Sequence, residues 1–210
     1  VFHVKLFAED WYDNFPPSPY YGTKSLTCVS EQVCYFFTTE VTYDPSRYRY
    51  IGTVKYYRIV NGSVEGPFAI PTELMEAYEI SVYYSNGVIH YARVTPDVTK
   101  IYYGRLRIVN DSIIKEHEEL VDSIEWGSIG YPNIVVSENG DRLVSYFYSN
   151  HPSSGQDIVE LRANGVGVYN LLFNGRVVHR LGYPVFANNV GYVVFYDEYG
   201  YVNVYKIEGY

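Results

Sequence analysis

The stretch Arg58-Ile59-Val60-Asn61-Gly62-Ser63-Val64 returns as Arg107-Ile108-Val109-Asn110-Asp111-Ser112-Ile113. An apolar run, a two-residue turn and a second apolar run recur in the same order. Asn-Gly and Asn-Asp tolerate the left-handed backbone that the tight turns of β-hairpins require. Asn-Gly between apolar runs is the strongest local hairpin signal. A hairpin that recurs after about 50 residues has the period of one small antiparallel sheet. A third copy is read at Arg162-Ala163-Asn164-Gly165-Val166. A fourth is read at Lys206-Ile207-Glu208-Gly209-Tyr210, where the sequence stops inside the turn.

The start of each unit aligns as well. Ser25–Val29, Glu79–Tyr83, Pro132–Val136 and Pro184–Ala187 read as first strands, each followed by a short polar turn and a second strand rich in aromatic residues. The third and fourth are approached through Gly130-Tyr131-Pro132 and Gly182-Tyr183-Pro184. The chain holds 26 Tyr and 10 Phe against one Met, and tyrosine and β-branched residues favour half-buried pleated surfaces. These features predict an all-β domain over residues 1–210 with units at roughly 22–68, 78–115, 131–172 and 183–210. Residues 1–9 alternate as a strand and are expected beside residues 201–207, completing the last unit and covering its edge. Four four-stranded units are the dimensions of a four-bladed β-propeller. The pattern resembles the propeller superfamily, with units similar to those of sialidase-type repeats. The sialidase aspartate box, Ser-x-Asp-x-Gly-x-x-Trp, is absent; Ser137-Glu138-Asn139-Gly140-Asp141 is a loose relative. A β-sandwich is the alternative.

In such a fold the turns after first and third strands lie on one face, and here they are short. The remaining connections are long: 9–24, 38–50, 68–78, 93–100, 115–131 and 149–157. Binding groups concentrate on long loops held by a rigid scaffold. The candidate binding face is therefore Trp11, Tyr43, Asp44, Asp97, Trp126, His151 and Asp157. Paired aspartates there suit glycoside hydrolysis, and exposed rings suit sugar stacking; solvated loop carboxylates are the plainer reading. Lys115-Glu116-His117-Glu118-Glu119 reads as a solvated edge or short helical turn, since it lacks the His-Glu-x-x-His zinc spacing. No cofactor, metal or nucleophile motif is found, so the chain is read as non-enzymatic.

Cys28 and Cys34 lie symmetrically about a turn at Glu31, which sets them opposite each other on adjacent strands and favours a disulfide over two free thiols. A disulfide implies an oxidising, extracellular setting, and a start at Val1 rather than Met fits either a removed signal peptide or an arbitrary boundary of the sequence. Asn61-Gly62-Ser63 and Asn110-Asp111-Ser112 are candidate glycosylation sequons, although asparagine also suits these turns for its backbone. A formal net charge of −8 argues against nucleic acid, and no apolar run is long enough for a membrane helix. The excess tyrosine and the missing catalytic motifs lead to an expected function: a secreted, self-associating structural or interaction protein. Its expected partners are copies of itself, a surface protein or a glycan. A lectin-like glycan-binding module is the alternative, with a glycoside hydrolase behind it.

Overall fold

A computed structural model describes residues 25–46, 49–70, 75–149, 158–171, 183–196 and 202–207. These residues form fifteen strands in four antiparallel sheets. Sheet I holds β1 (Ser25–Cys28), β2 (Val33–Asp44), β3 (Arg49–Val60) and β4 (Ser63–Ala69). Sheet II holds β5 (Glu79–Ser85), β6 (Val88–Val94), β7 (Lys100–Val109) and β8 (Ser112–Ser123). Sheet III holds β9 (Ser128–Val136), β10 (Arg142–Ser149), β11 (Ile158–Ala163) and β12 (Val166–Leu171). Sheet IV holds β13 (Tyr183–Ala187), β14 (Val190–Tyr196) and β15 (Val202–Lys206). In every sheet the strands lie side by side in chain order. A sandwich has two sheets rather than four, so that alternative falls. The expected pairing of residues 1–9 with residues 201–207 lies outside the described residues.

The repeated turns set this geometry. Both central residues have positive φ at Asn61-Gly62, Asn86-Gly87, Asn110-Asp111, Asn164-Gly165 and Asn188-Asn189. That is the type I′ turn, whose twist matches the strands it joins. Such turns lock register, and register decides which residues face which way. The third copy differs in one respect. Counting back from the turn, Leu161 and not Arg162 occupies the position of Arg58 and Arg107. Leu161 is buried, and Arg162 points to the opposite face of sheet III, so the sequence alignment of the arginines is off by one.

Each sheet packs its faces against its neighbours. Tyr35, Phe37, Val54 and Tyr56 of sheet I meet Ile80, Val82, Ile89, Tyr91, Leu106 and Ile113 of sheet II. Ala92, Val94, Ile101 and Tyr103 of sheet II meet Ile134, Val136, Val144 and Tyr146 of sheet III. Leu143, Leu161 and Ala163 of sheet III meet Val193 of sheet IV. The first strands adjoin in the same order, β1 beside β5, β5 beside β9, and β9 beside β13.

Two expected loops are largely strand. Residues 38–50 are mainly a long hairpin, paired from Val33↔Val60 to Asp44↔Arg49. The Lys115–Glu119 run belongs to β8 and is neither helical nor merely solvated. Its carboxylates are taken up by arginines from other strands: Glu116 by Arg107, Glu118 by Arg93, and Glu119 by Arg142 of sheet III. Tyr91, Gly104 and Glu118 form one row across sheet II. The fully buried Tyr91 ring crosses over Gly104, and its hydroxyl donates to Glu118 Oε2 at 2.6 Å. A Cβ at residue 104 would lie 2.3 Å from that ring, where only glycine fits. Gly104→Ala should therefore destabilise the fold by about 1–3 kcal/mol, the range of core overpacking. Equilibrium urea unfolding checks this, and wild-type stability in the variant would contradict it.

Candidate functional site

The first strands are where the structure departs most from a uniformly sealed interior. Every one of them leaves a large apolar side chain in solvent: Leu26, Tyr83, Tyr131, and both Tyr183 and Val185, all between 37% and 52% exposed. The Gly-Tyr-Pro recurrence explains two of these. In each copy the proline is buried and the tyrosine before it is exposed. Tyr131 also has φ 51°, a left-handed backbone that an aromatic residue rarely adopts, and it lies in a bulge of β9, where Tyr131 and Pro132 together oppose Tyr146. Its ring stands edge-on to Phe147 with centroids 6.2 Å apart.

Glu79 holds that strained residue. It opens β5, is buried, and its Oε2 accepts a short hydrogen bond from the Tyr131 backbone N–H on β9. The bond belongs to a series along the first strands. Ser25 Oγ accepts from Val82 N–H at 2.9 Å, and Thr27 Oγ1 accepts from Tyr84 N–H at 3.0 Å. Asn86 Nδ2 donates to Glu138 O at 3.0 Å. Burial raises the Glu79 carboxyl above its ordinary value, and the Tyr131 N–H opposes that rise in part. A carboxyl with a raised pKa beside exposed aromatic rings can hold a proton and donate it to a ligand oxygen.

The expected binding residues are distributed over this end and beyond it. Asp97 is exposed on the β6–β7 connection. Burial pushes its pKa up, but hydrogen bonds from Thr95 and Thr99 outweigh this and hold the carboxyl below its ordinary range. The Thr95 hydroxyl donates at 2.5 Å and the Thr99 N–H at 3.3 Å. Trp126, on the β8–β9 connection, is 76% exposed. Those two connections are tied together, since Ile124 N–H donates to Thr99 O at 2.9 Å and Ile129 N–H to Val98 O at 2.8 Å. Tyr43 is exposed near the tip of the β2–β3 hairpin, where Asp44 Oδ1 accepts from the Ser46 N–H and hydroxyl at 2.8 and 2.6 Å. Trp11, His151 and Asp157 lie outside the described residues. Cys28 and Cys34 are disulfide-bonded across β1 and β2, as their spacing about the turn predicts. Asn61 and Asn110 both sit at exposed hairpin tips.

Other buried carboxylates are committed elsewhere. The Arg93 guanidinium grips Glu118 through two bonds of 2.6 and 2.7 Å, and these with the Tyr91 hydroxyl hold that carboxyl below its usual range against the effect of burial. The Tyr146 hydroxyl, its pKa raised by burial and by Glu160, lies between Glu160 and Asp122 while Arg162 Nε donates to it at 3.0 Å. His90 is stacked on Tyr103 with Nδ1 2.8 Å from its hydroxyl, and burial with Arg105 and Arg142 pushes its pKa down to about 4. Among the described residues no three His, Cys, Asp or Glu side chains converge as metal ligands. No described helix is long and apolar enough to cross a membrane.

Comparison with known proteins places the scaffold. No family model matches the chain, and no curated protein matches it. Among solved structures, an endo-arabinase from Bacteroides thetaiotaomicron superposes with a TM-score of 0.50 at 13% identity, covering 90% of this chain and 72% of that one. An α-L-arabinofuranosidase from Fusarium graminearum, solved as a mutant with an iminosugar inhibitor, superposes with a TM-score of 0.55 at 10% identity. That match covers 86% of this chain and 58% of the fungal one. At these identities the likeness is one of fold: an all-β, propeller-like arrangement of small antiparallel sheets. It corrects the expectation of a self-associating structural protein, because the scaffold is shared with glycoside hydrolases.

The raised Glu79 pKa has a defined pH signature. Stability linked to this group is full below its unfolded value, ordinarily 4.5, and is lost as pH rises through the higher folded value. Glu79→Gln keeps an acceptor for the Tyr131 N–H but cannot ionise. Its unfolding free energy should decline less than that of wild type between pH 4.5 and neutrality, as measured by denaturant titration at several pH values. Parallel pH profiles would contradict the assignment.

Proposed function

We propose that this chain is a carbohydrate-active domain that binds a sugar chain at the mouth formed by Glu79, Tyr131 and Tyr183. The observation that carries this reading is the exposed, strained Tyr131 held by a buried carboxylate on the neighbouring first strand. Aromatic rings present an apolar face to the C–H face of a sugar with little loss of side-chain freedom, and the carboxyl offers a hydrogen bond to a hydroxyl. The solved structures of similar fold act on arabinose-containing substrates, which makes arabino-oligosaccharides the first ligands to test. A disulfide fits an extracellular setting, where such polymers are met.

Hydrolysis is the second reading, favoured by the raised pKa of Glu79, which suits a general acid. It requires a second carboxylate about 5–9.5 Å away across the scissile bond. Asp97, exposed on the β6–β7 connection and held by Thr95 and Thr99, is one candidate for it.

The same proposal includes closure of the four sheets into a ring. Sheet IV has three described strands where the others have four, and Val202 and Val204 on its outer strand are exposed. Residues 1–9 supply the fourth strand in this reading. Deleting them should speed amide hydrogen exchange along β15, and unchanged exchange would remove the closure.

Tyr131→Ala should weaken oligosaccharide binding at least tenfold, about 1.4 kcal/mol, by isothermal titration calorimetry. Val64→Ala, on the exposed outer strand β4, should leave binding unchanged. No binding across a panel of arabino-, xylo- and gluco-oligosaccharides, or equal affinity in Tyr131→Ala, would defeat the reading. Release of reducing sugar that disappears in Glu79→Gln would establish hydrolysis.

A further inference from the structure

Trp126 is the most exposed large apolar side chain among the described residues, and it is held on a braced turn. The Ile124 and Ile129 N–H groups bond to the β6–β7 connection on either side of it. Ser128 N–H donates to Ser149 Oγ at 2.9 Å, and the two serine hydroxyls are 2.7 Å apart. Gly127 has φ 95°, and a Cβ there would sit 2.1 Å from Ser149 O, so the backbone passes through a gap that admits only glycine. The loop it bonds to contains Val98 at φ 54°, a left-handed conformation that a β-branched residue rarely adopts. Considerable local constraint thus fixes the backbone that carries a ring contributing nothing to the core.

We infer that Trp126 is an outlying sugar-stacking platform, which makes the ligand of the mouth an extended polysaccharide rather than a short sugar; this rests on the carbohydrate reading above. Protein-binding hot spots sit centrally in packed apolar patches. Trp126 is instead flanked by exposed Glu125 and Gly127, with exposed Ser123 and Asp97 on the joined loops. One apolar face rimmed by hydroxyl and carboxylate groups matches a sugar ring, whose C–H face is rimmed by hydroxyls. A ring carried on a braced backbone costs less ordering on binding than one on a mobile loop. Trp126 and Tyr131 are five residues apart along one chain segment, so they are separated by at most about 17 Å at the rise of an extended strand. A chain of a few sugar units can span that distance and engage both rings.

The experiment compares wild type, Trp126→Ala, Trp126→Phe and Tyr131→Ala by calorimetry against arabino-oligosaccharides of increasing length, starting from the disaccharide. Trp126→Ala should lose about tenfold in affinity for the longest oligosaccharides and less than twofold for the disaccharide, while Trp126→Phe retains most of the long-chain affinity. Tyr131→Ala should lose affinity at every length. An equal effect of Trp126→Ala at all lengths, or no effect at any, overturns the platform and leaves the mouth standing. Absence of binding by wild type at every length overturns both. The exposure of Trp126 keeps folding out of the comparison, and a circular dichroism melt of each variant verifies it.

Discussion

The unpaired edge of each first strand is the constraint on which the arrangement depends. A first strand is hydrogen-bonded to its second strand on one side only, and its other edge carries donors that need acceptors. Here the acceptors come from side chains of the preceding first strand: Ser25 for Val82, Thr27 for Tyr84 and Glu79 for Tyr131. This places the first strands side by side and brings the apolar faces of successive sheets together. It also sets a carboxyl against the backbone of an exposed tyrosine. Packing and the candidate site are two results of the same edge condition.

Charge is distributed to the same end. The acidic run on β8 looks like a solvent face, yet its members reach arginines on β6, β7 and β10. Glu119 with Arg142, and Asp122 with Arg162, join sheet II to sheet III. Arg58 reaches Asp111 at 2.9 Å, joining two copies of the repeated hairpin across sheets I and II. These pairs consume most of the described carboxylates near the cores. Glu79 differs in having a backbone N–H, and no arginine, as its recorded hydrogen-bond partner.

Much of the scaffold was legible because its signals are local. Asn61-Gly62, Asn110-Asp111 and Asn164-Gly165 declare I′ turns through residue types that accept positive φ, and Cys28 and Cys34 are symmetric about their turn. The site was only half legible. Asp97 and Trp126 announced themselves as loop residues, and the Gly-Tyr-Pro recurrence marked Tyr131 and Tyr183 without revealing that the tyrosines face solvent. Glu79 was missed because a lone glutamate opening an apolar strand acquires meaning only from Tyr131, 52 residues later. The arginine of the third repeat was misaligned for a related reason. A one-residue offset is invisible in composition yet moves Arg162 to the other face of its sheet, where it meets Asp122.

The central claim is that the mouth of the first strands receives a sugar chain. Titrating isotope-labelled protein with an arabino-oligosaccharide and following backbone amide shifts tests it directly. The account predicts saturable shifts at Glu79, Tyr131 and Tyr183, with none at Ser63–Ala69 of β4. Saturable shifts confined to β4, or none anywhere at millimolar ligand across the oligosaccharide panel, would contradict it.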